Sequence, residues 1–256
     1  MPDWNPNQYL KFANERTQPS IDLAARINVG NPKSIIDIGC GPGNSTQVLR
    51  QRWPGAKISG LDSSIEMIKK AKEDFSEMEW ITADASTFKF NEKYDLVFSN
   101  AAIQWMPDHE ILLPRFLKIL NDGGALAVQV PANFDSPLHQ AVLAVSSNPK
   151  WSRLTSGAEK LITYHTVEYY YDILSFASEK IDIWETTYYH VLGSHVALVE
   201  WYKGTGMRPF LERLPDESSR REFEDEVLDR CARDYRIQKD GKVIYPFKRV
   251  FFVTYR

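Results

Sequence analysis

Asp37, Gly39, Gly41 and Gly43 stand at alternate positions within IIDIGCGPGNST, the stretch from Ile35 to Thr46. An apolar run that ends in an acid and then breaks into glycines is how a buried strand hands over to a tight turn beneath a helix N-terminus. The chemistry such a turn offers is a backbone cradle for a nucleotide-like ligand. The dinucleotide fingerprint G-x-G-x-x-G fails in both frames: counted from Gly39 its third glycine is Asn44, and counted from Gly41 it is Thr46. A second acid, Asp62, follows nineteen residues after Gly43, at the end of the next apolar run. The five histidines are scattered without zinc-ligand spacing, so no metal site is expected.

These residues need strands to hold them. Ser34 to Ile38 reads as a first strand, followed by a helix from about Ser45 to Gln51 that Trp53-Pro54-Gly55 closes. Lys57 to Leu61 is a second strand ending at Asp62. Ser64 opens a helix with Ile65, Ile68 and Ala71 at helical spacing, and Glu79 to Thr82 is a third strand ending near Asp84. Asp95 to Asn100, a helix over Asp108 to Leu120, a turn at Asn121-Asp122-Gly123-Gly124 and a strand from Ala125 to Val130 continue the alternation. Five strands alternating with helices predict a parallel, doubly wound α/β sheet with ligands at the strands' C-terminal ends.

After Pro131 the rhythm breaks. A helix over Glu168 to Ser178, a sixth strand over Ile181 to Val191 and a last strand over Val243 to Tyr255 resume it. Between them, His195 to Tyr235 reads as two helical stretches separated around Met207-Arg208-Pro209, and Asp216 to Asp234 as an amphipathic helix with a solvated face. Before the first strand, Asp3 to Arg26 carries a turn at Asn5-Pro6 and then a helix-like segment able to fold back as a lid.

A chain of 256 residues with 43% hydrophobic and 25% charged residues suits one globular domain with insertions. A net charge of −3 supplies no general attraction to nucleic-acid backbones or anionic membranes. The two cysteines, Cys40 and Cys231, imply no disulfide framework. With no basic start, apolar leader or long apolar run, the expectation is a cytoplasmic protein binding a small molecule, neither nucleic acid nor membrane, with its oligomeric state open.

The acid, the three glycines and Asp62 together resemble the first motif of the class I S-adenosylmethionine-dependent methyltransferases. That resemblance implies a Rossmann-like fold: a seven-stranded, mostly parallel sheet with its last strand antiparallel, an N-terminal helical lid and helical insertions above the sheet. It implies S-adenosylmethionine as cofactor, met by Asp37, Gly39, Cys40, Gly41, Gly43 and Asn44 in the turn and by Asp62 and Ser63 after the second strand. Asp62 would accept both ribose hydroxyls, as an acceptor-only carboxylate suits. Ala83, Asp84 and Ala85 would meet the adenine, and Asn100, Ala101 and Trp105 the reactive sulfonium side, with Met67 and Trp4 packing on the cofactor. Taken singly these are ordinary turn, cap and core residues; their joint placement at consecutive strand ends carries the reading.

Four further stretches, DWNPNQYLKFANERTQP, VFSNAAIQWMPDH, YYDILSFASEKIDIWETTYYHVLGSH and WYKGTGMRPFL, resemble a narrower branch whose members esterify a carboxylate of trans-aconitate. That resemblance implies one domain over 1–256: a lid at 1–30, a cofactor-binding core at 31–130, acceptor-side insertions at 131–166 and 194–236, and the remaining sheet at 167–193 and 237–256. A tricarboxylate wants guanidinium and hydroxyl partners, which singles out Arg208 and Arg16 as clamps and Tyr9, Tyr164, His165, Tyr169 and Tyr188 as further contacts. No catalytic base is called for, because a carboxylate of pKa about 4 is already ionised at neutral pH. Another small acid, phenol or amine as acceptor, or a cofactor-binding module without catalysis, are the alternatives.

Overall fold

A computed structural model of the chain describes residues 13–256, with side chains from Thr17 onward. The sheet has seven strands in the order β3-β2-β1-β4-β5-β7-β6: β1 (Ser34–Ile38), β2 (Lys57–Asp62), β3 (Glu79–Thr82), β4 (Tyr94–Asn100), β5 (Leu120–Pro131), β6 (Ile181–Leu192) and β7 (Val243–Tyr255). The β1–β2, β2–β3, β1–β4 and β4–β5 pairs are parallel. The last strand runs the other way. Arg256 N donates to Gly124 O while Ala132 N donates to Lys248 O, so β7 descends as β5 rises. The expected α/β sheet, parallel but for its last strand, is the one found.

Helices alternate with the strands: α1 (Ala13–Arg26), α2 (Asn44–Arg52), α3 (Ile65–Asp74), α4 (His109–Lys118), α5 (Pro137–Ser146), α6 (Val167–Ser175), α7 (His195–Lys203), α8 (Arg208–Leu211) and α9 (Glu217–Cys231). Ser64, Ser136, Thr166, Ser194 and Asp216 cap five of them, each side chain accepting a backbone N–H of the first turn. The inner strands are apolar on both faces, with Ile35, Ile36, Leu96, Val97, Phe98, Leu126 and Val128 wholly buried, as a sheet covered by helices requires.

The chain forms two compact units. One holds the described residues up to Pro131 with His165–Thr186 and Val250–Arg256; the other holds Ala132–Tyr164 and Thr187–Arg249. The second has its own aromatic core, in which Phe223 meets Trp151 at 5.6 Å and Phe210 at 6.4 Å between ring centroids. Among the described residues no helix is long and apolar enough to cross a membrane.

Two expectations need correction. Asn121 to Gly124 is not a turn ahead of β5 but a bulge inside it: Tyr94 and Leu96 pair with Leu120 and Ala125, so the four residues between loop out while the strand continues. The end of β7 holds them there, since Gly123 N donates to Arg256 O and Arg256 N to Gly124 O. Arg208-Pro209 does lie between the long helices α7 and α9, but it is not irregular: it begins the short helix α8, where proline's missing N–H leaves no hydrogen bond unmade.

In this strand order the direction of winding reverses between β1 and β4. Ligands of open α/β sheets bind in the crevice outside the carboxyl ends of the strands at such a point, which directs attention to the residues after Ile38 and at Asn100.

Candidate functional site

The turn after β1 is built by β2. Gly39 N and Cys40 N both donate to Leu61 O, at 2.7 and 3.1 Å, and Gly43 N donates to Cys40 O at 3.1 Å. Gly39, Gly41 and Gly43 all have positive φ, at 70°, 55° and 95°, a region that side chains disfavour. Gly39 has a steric reason besides, because a Cβ there would lie 2.1 Å from Ala102 Cβ. Gly41 has none: a Cβ there would meet nothing within 4 Å, so this glycine borders open space.

Two acids brace the turn. Asp62 accepts Gly41 N–H at 2.9 Å through Oδ2 and Ser64 N–H at 2.8 Å through Oδ1, fixing the carboxylate between the turn and the start of α3. Asp37 lies wholly buried beneath. Its Oδ2 accepts the hydroxyls of Ser45 (2.6 Å) and Thr46 (2.7 Å), fastening the first turn of α2 to β1, while Oδ1 has no hydrogen-bond partner among the described residues. Burial pushes its pKa up to about 6; the two hydroxyl bonds pull it down and the charge of Asp62 raises it.

A cleft lies over this turn, lined by Thr17, Ser20, Gly39, Cys40, Pro42, Asn44, Ser45 and Asn100. Asn100, at the end of β4, is 8% exposed, and its Oδ1 has no hydrogen-bond partner among the described residues. The cleft therefore presents a buried amide oxygen and a turn of backbone, with the Asp62 carboxylate tied to that turn at Gly41.

Of the sequence-derived cofactor candidates, the structure brings Gly39, Cys40, Asn44 and Asn100 to one cleft, with Gly41 and Asp62 tied together beside it. The Cys40 thiol is buried and its pKa raised by that burial, so it stands there as a neutral small group. Ser63 is exposed, whereas Met67 is 3% exposed in the core face of α3. Ala83 N donates to Asp62 O at 3.0 Å. Asp84 is exposed and accepts both Ser86 N (2.8 Å) and Ser86 Oγ (2.6 Å), the hydrogen bonding of a turn acid, and Ala85 is buried. Ala101 has φ 54°, and Trp105 sits half-buried in the 3-10 turn Ile103–Trp105.

The acceptor candidates divide between the units. In the second unit Arg208 is paired with Glu212 one turn along α8. Tyr164 packs on Phe134 and His139 at 5.5 and 5.4 Å, and Tyr188 lies parallel to His190 at 6.5 Å. In the first unit His165 stacks on Tyr169 at 3.6 Å, and Tyr169 donates to Glu110 Oε2 at 2.6 Å. Tyr9 and Trp4 lie outside the described residues, as does the side chain of Arg16. Sequence reasoning missed Thr17 and Ser20 of α1, which face the cleft. They carry no motif, and only the folding of α1 against α2 and β5 brings them there.

Comparisons with known proteins agree with this geometry. A family described as a methyltransferase domain matches residues 35–124, from β1 to the β5 bulge. A phosphoethanolamine N-methyltransferase 2 from Haemonchus contortus, solved with phosphomonomethylethanolamine and S-adenosylhomocysteine, shares the fold at a TM-score of 0.58 and 16% identity, over 96% of this chain and 57% of that one. Trans-aconitate 2-methyltransferase of Escherichia coli O139:H28 is 41% identical over 256 residues, covering 100% of this chain and 99% of that protein. The enzyme of that name from Azoarcus sp. strain BH72 is 40% identical, covering 100% of both. The likeness thus spans the whole chain, both units included, and the chain belongs to the trans-aconitate 2-methyltransferase family.

Proposed function

We propose that this protein transfers a methyl group from S-adenosylmethionine to one carboxylate of trans-aconitate, giving a monomethyl ester and S-adenosylhomocysteine. The observation that carries the acceptor is the extent of the likeness: 41% identity covers 100% of the chain, including both irregular blocks and not only the methyltransferase core.

The residues present fit the cofactor. A ligand with an ammonium group and a ribose diol brings donors, and acceptors stand at and beside the cleft: the buried Asn100 Oδ1 in its wall and the Asp62 carboxylate tied to Gly41. An ionised carboxylate such as that of Asp62 only accepts, which suits a diol. When bound, S-adenosylmethionine supplies an electrophilic methyl on a sulfonium sulfur. The protein's share is alignment and exclusion of water, since the acceptor arrives ionised and needs no base. In this reading Asp37 through Asn44, Asp62, Ser63, Met67, Ala83 to Ala85, Asn100, Ala101 and Trp105 make the cofactor side. Arg208, Tyr164 and His165 from the insertions 131–166 and 194–236, Tyr169 and Tyr188 from the segment 167–193, and the 1–30 lid are the candidates for meeting the acceptor. The buried free cysteines Cys40 and Cys231 suit a reducing, cytoplasmic setting.

The test is a methyl-transfer assay with trans-aconitate beside cis-aconitate, citrate, isocitrate and aromatic acids, the ester identified by mass. Turnover highest with trans-aconitate is expected. Turnover with another acid alone transfers the proposal to that acid, and S-adenosylhomocysteine binding without any ester reduces the protein to a binding module.

A further inference from the structure

The buried imidazole of His109 lies outside everything assigned above. It is the first residue of α4 and 0% exposed, yet neither ring nitrogen is idle. Nε2 stands 2.7 Å from Ile103 O and Nδ1 3.1 Å from Tyr170 Oη. A carbonyl oxygen only accepts, so Nε2 carries the proton; in the neutral ring Nδ1 is then the acceptor, and the Tyr170 hydroxyl donates to it.

What Nε2 holds is the loop between β4 and α4. This loop is bracketed by Ala101 (φ 54°) and Asp108 (φ 55°), the two non-glycine residues at positive φ among those described. Such conformations persist only where the surroundings over-determine them. Here Gln104 Nε2 donates to Ala101 O at 2.7 Å, Ala101 N to Gln129 O at 2.9 Å, and Met106 N and His109 Nε2 both to Ile103 O. The loop in turn abuts the cofactor turn: it begins at Asn100 in the cleft wall, and Ala102 Cβ fills the space that Gly39 leaves. On the far side Tyr170 is 0% exposed and packs on Phe252 at 5.1 Å, so its hydroxyl is a fixed anchor in α6.

We infer that His109 is a positioning residue: through the relay from Tyr170 Oη to His109 to Ile103 O, it holds the Asn100–Trp105 loop in the shape that sets Asn100 and Gly39 against the cofactor. The inference rests on the methyl-transfer reading for its purpose and on this geometry for its content. Three variants separate positioning from filling: His109→Phe keeps a ring and loses both hydrogen bonds, His109→Gln keeps a donor toward Ile103 O, and Tyr170→Phe removes the anchor alone. Each is measured for S-adenosylhomocysteine affinity, for kcat and KM with trans-aconitate, and for thermal midpoint.

Misplacing a site by about an ångström costs on the order of a hundredfold in rate. His109→Phe is therefore expected to lose on the order of ten- to a hundredfold in kcat and to bind S-adenosylhomocysteine more weakly. His109→Gln should recover most of both, and Tyr170→Phe should fall between. If His109→Gln is as impaired as His109→Phe, or if His109→Phe matches the parent, the inference is overturned. Should the parent methylate no acid at all, the functional reading fails, while the affinity ratios still decide the role of His109.

Discussion

At the scale of single residues, the cleft turns on carboxylates doing two things at once. Asp62 is the sharpest case, because its oxygens take the Gly41 and Ser64 N–H groups and so shape the very turn they border. Removing it withdraws acceptors from a ligand and leaves two backbone donors to find water. Asp62→Ala is expected to weaken S-adenosylhomocysteine binding by on the order of 1 to 3 kcal/mol, the range for hydrogen bonds to charged groups. Calorimetric titration checks it, and an unchanged affinity would remove Asp62 from the site. Asp37 works from below: wholly buried, it ties Ser45 and Thr46 to β1 through one oxygen. That division was not legible in the sequence, where both acids read alike as strand-end carboxylates.

At the scale of elements, the glycine turn separates two reasons for the same residue. Gly39→Ala puts a Cβ against Ala102 in a left-handed backbone, whereas Gly41→Ala meets the backbone penalty with open space around it. Overpacking and left-handed strain together destabilise by about 2 to 5 kcal/mol, strain alone by about 1 to 2 kcal/mol. The expected result is that Gly39→Ala lowers the thermal midpoint far more, while Gly41→Ala keeps most of its stability and loses cofactor affinity to the methyl group in the cleft. Equal loss of stability in the two would contradict the packing account. The bounds of β1 and β7 were legible because apolar runs end at clear breaks, and the alternate glycines located the turn correctly. The bulge in β5 was not, since Asn-Asp-Gly-Gly is turn chemistry until the end of β7 pairs with it. Nor were Thr17 and Ser20, or the relay through His109, because a hydroxyl on a helix and an imidazole after an aspartate acquire their partners only from residues distant in sequence.

At the scale of the whole molecule, acid should act in opposite senses through the buried imidazoles and through the buried carboxylate of Asp37. His139 and His190, both in the unit built from Ala132–Tyr164 and Thr187–Arg249, are 6% and 7% exposed. Burial lowers each from 6.5 to about 4, and the charge of Arg249 adds to it at His190. The unfolded chain therefore takes up these protons first as pH falls, so their contribution to stability is complete above pH 6.5 and is lost toward pH 4. Asp37, in the other unit, is raised from 3.8 to about 6 and does the reverse: its contribution is present at low pH and lost as pH rises through 6. Two imidazoles against one carboxylate leave a net loss, on the order of 2 to 3 kcal/mol between neutral pH and pH 5. His109 and His165, also lowered chiefly by burial, push the same way. Urea unfolding at pH 7 and pH 5 should show this fall, His139→Gln should flatten it, and Asp37→Asn should steepen it by removing the opposing group. Amide exchange at pH 5 should open α5 and α7 before the strands around the glycine turn. A stability that holds or rises on acidification would mean that the two buried imidazoles keep neither their burial nor their neutrality in solution.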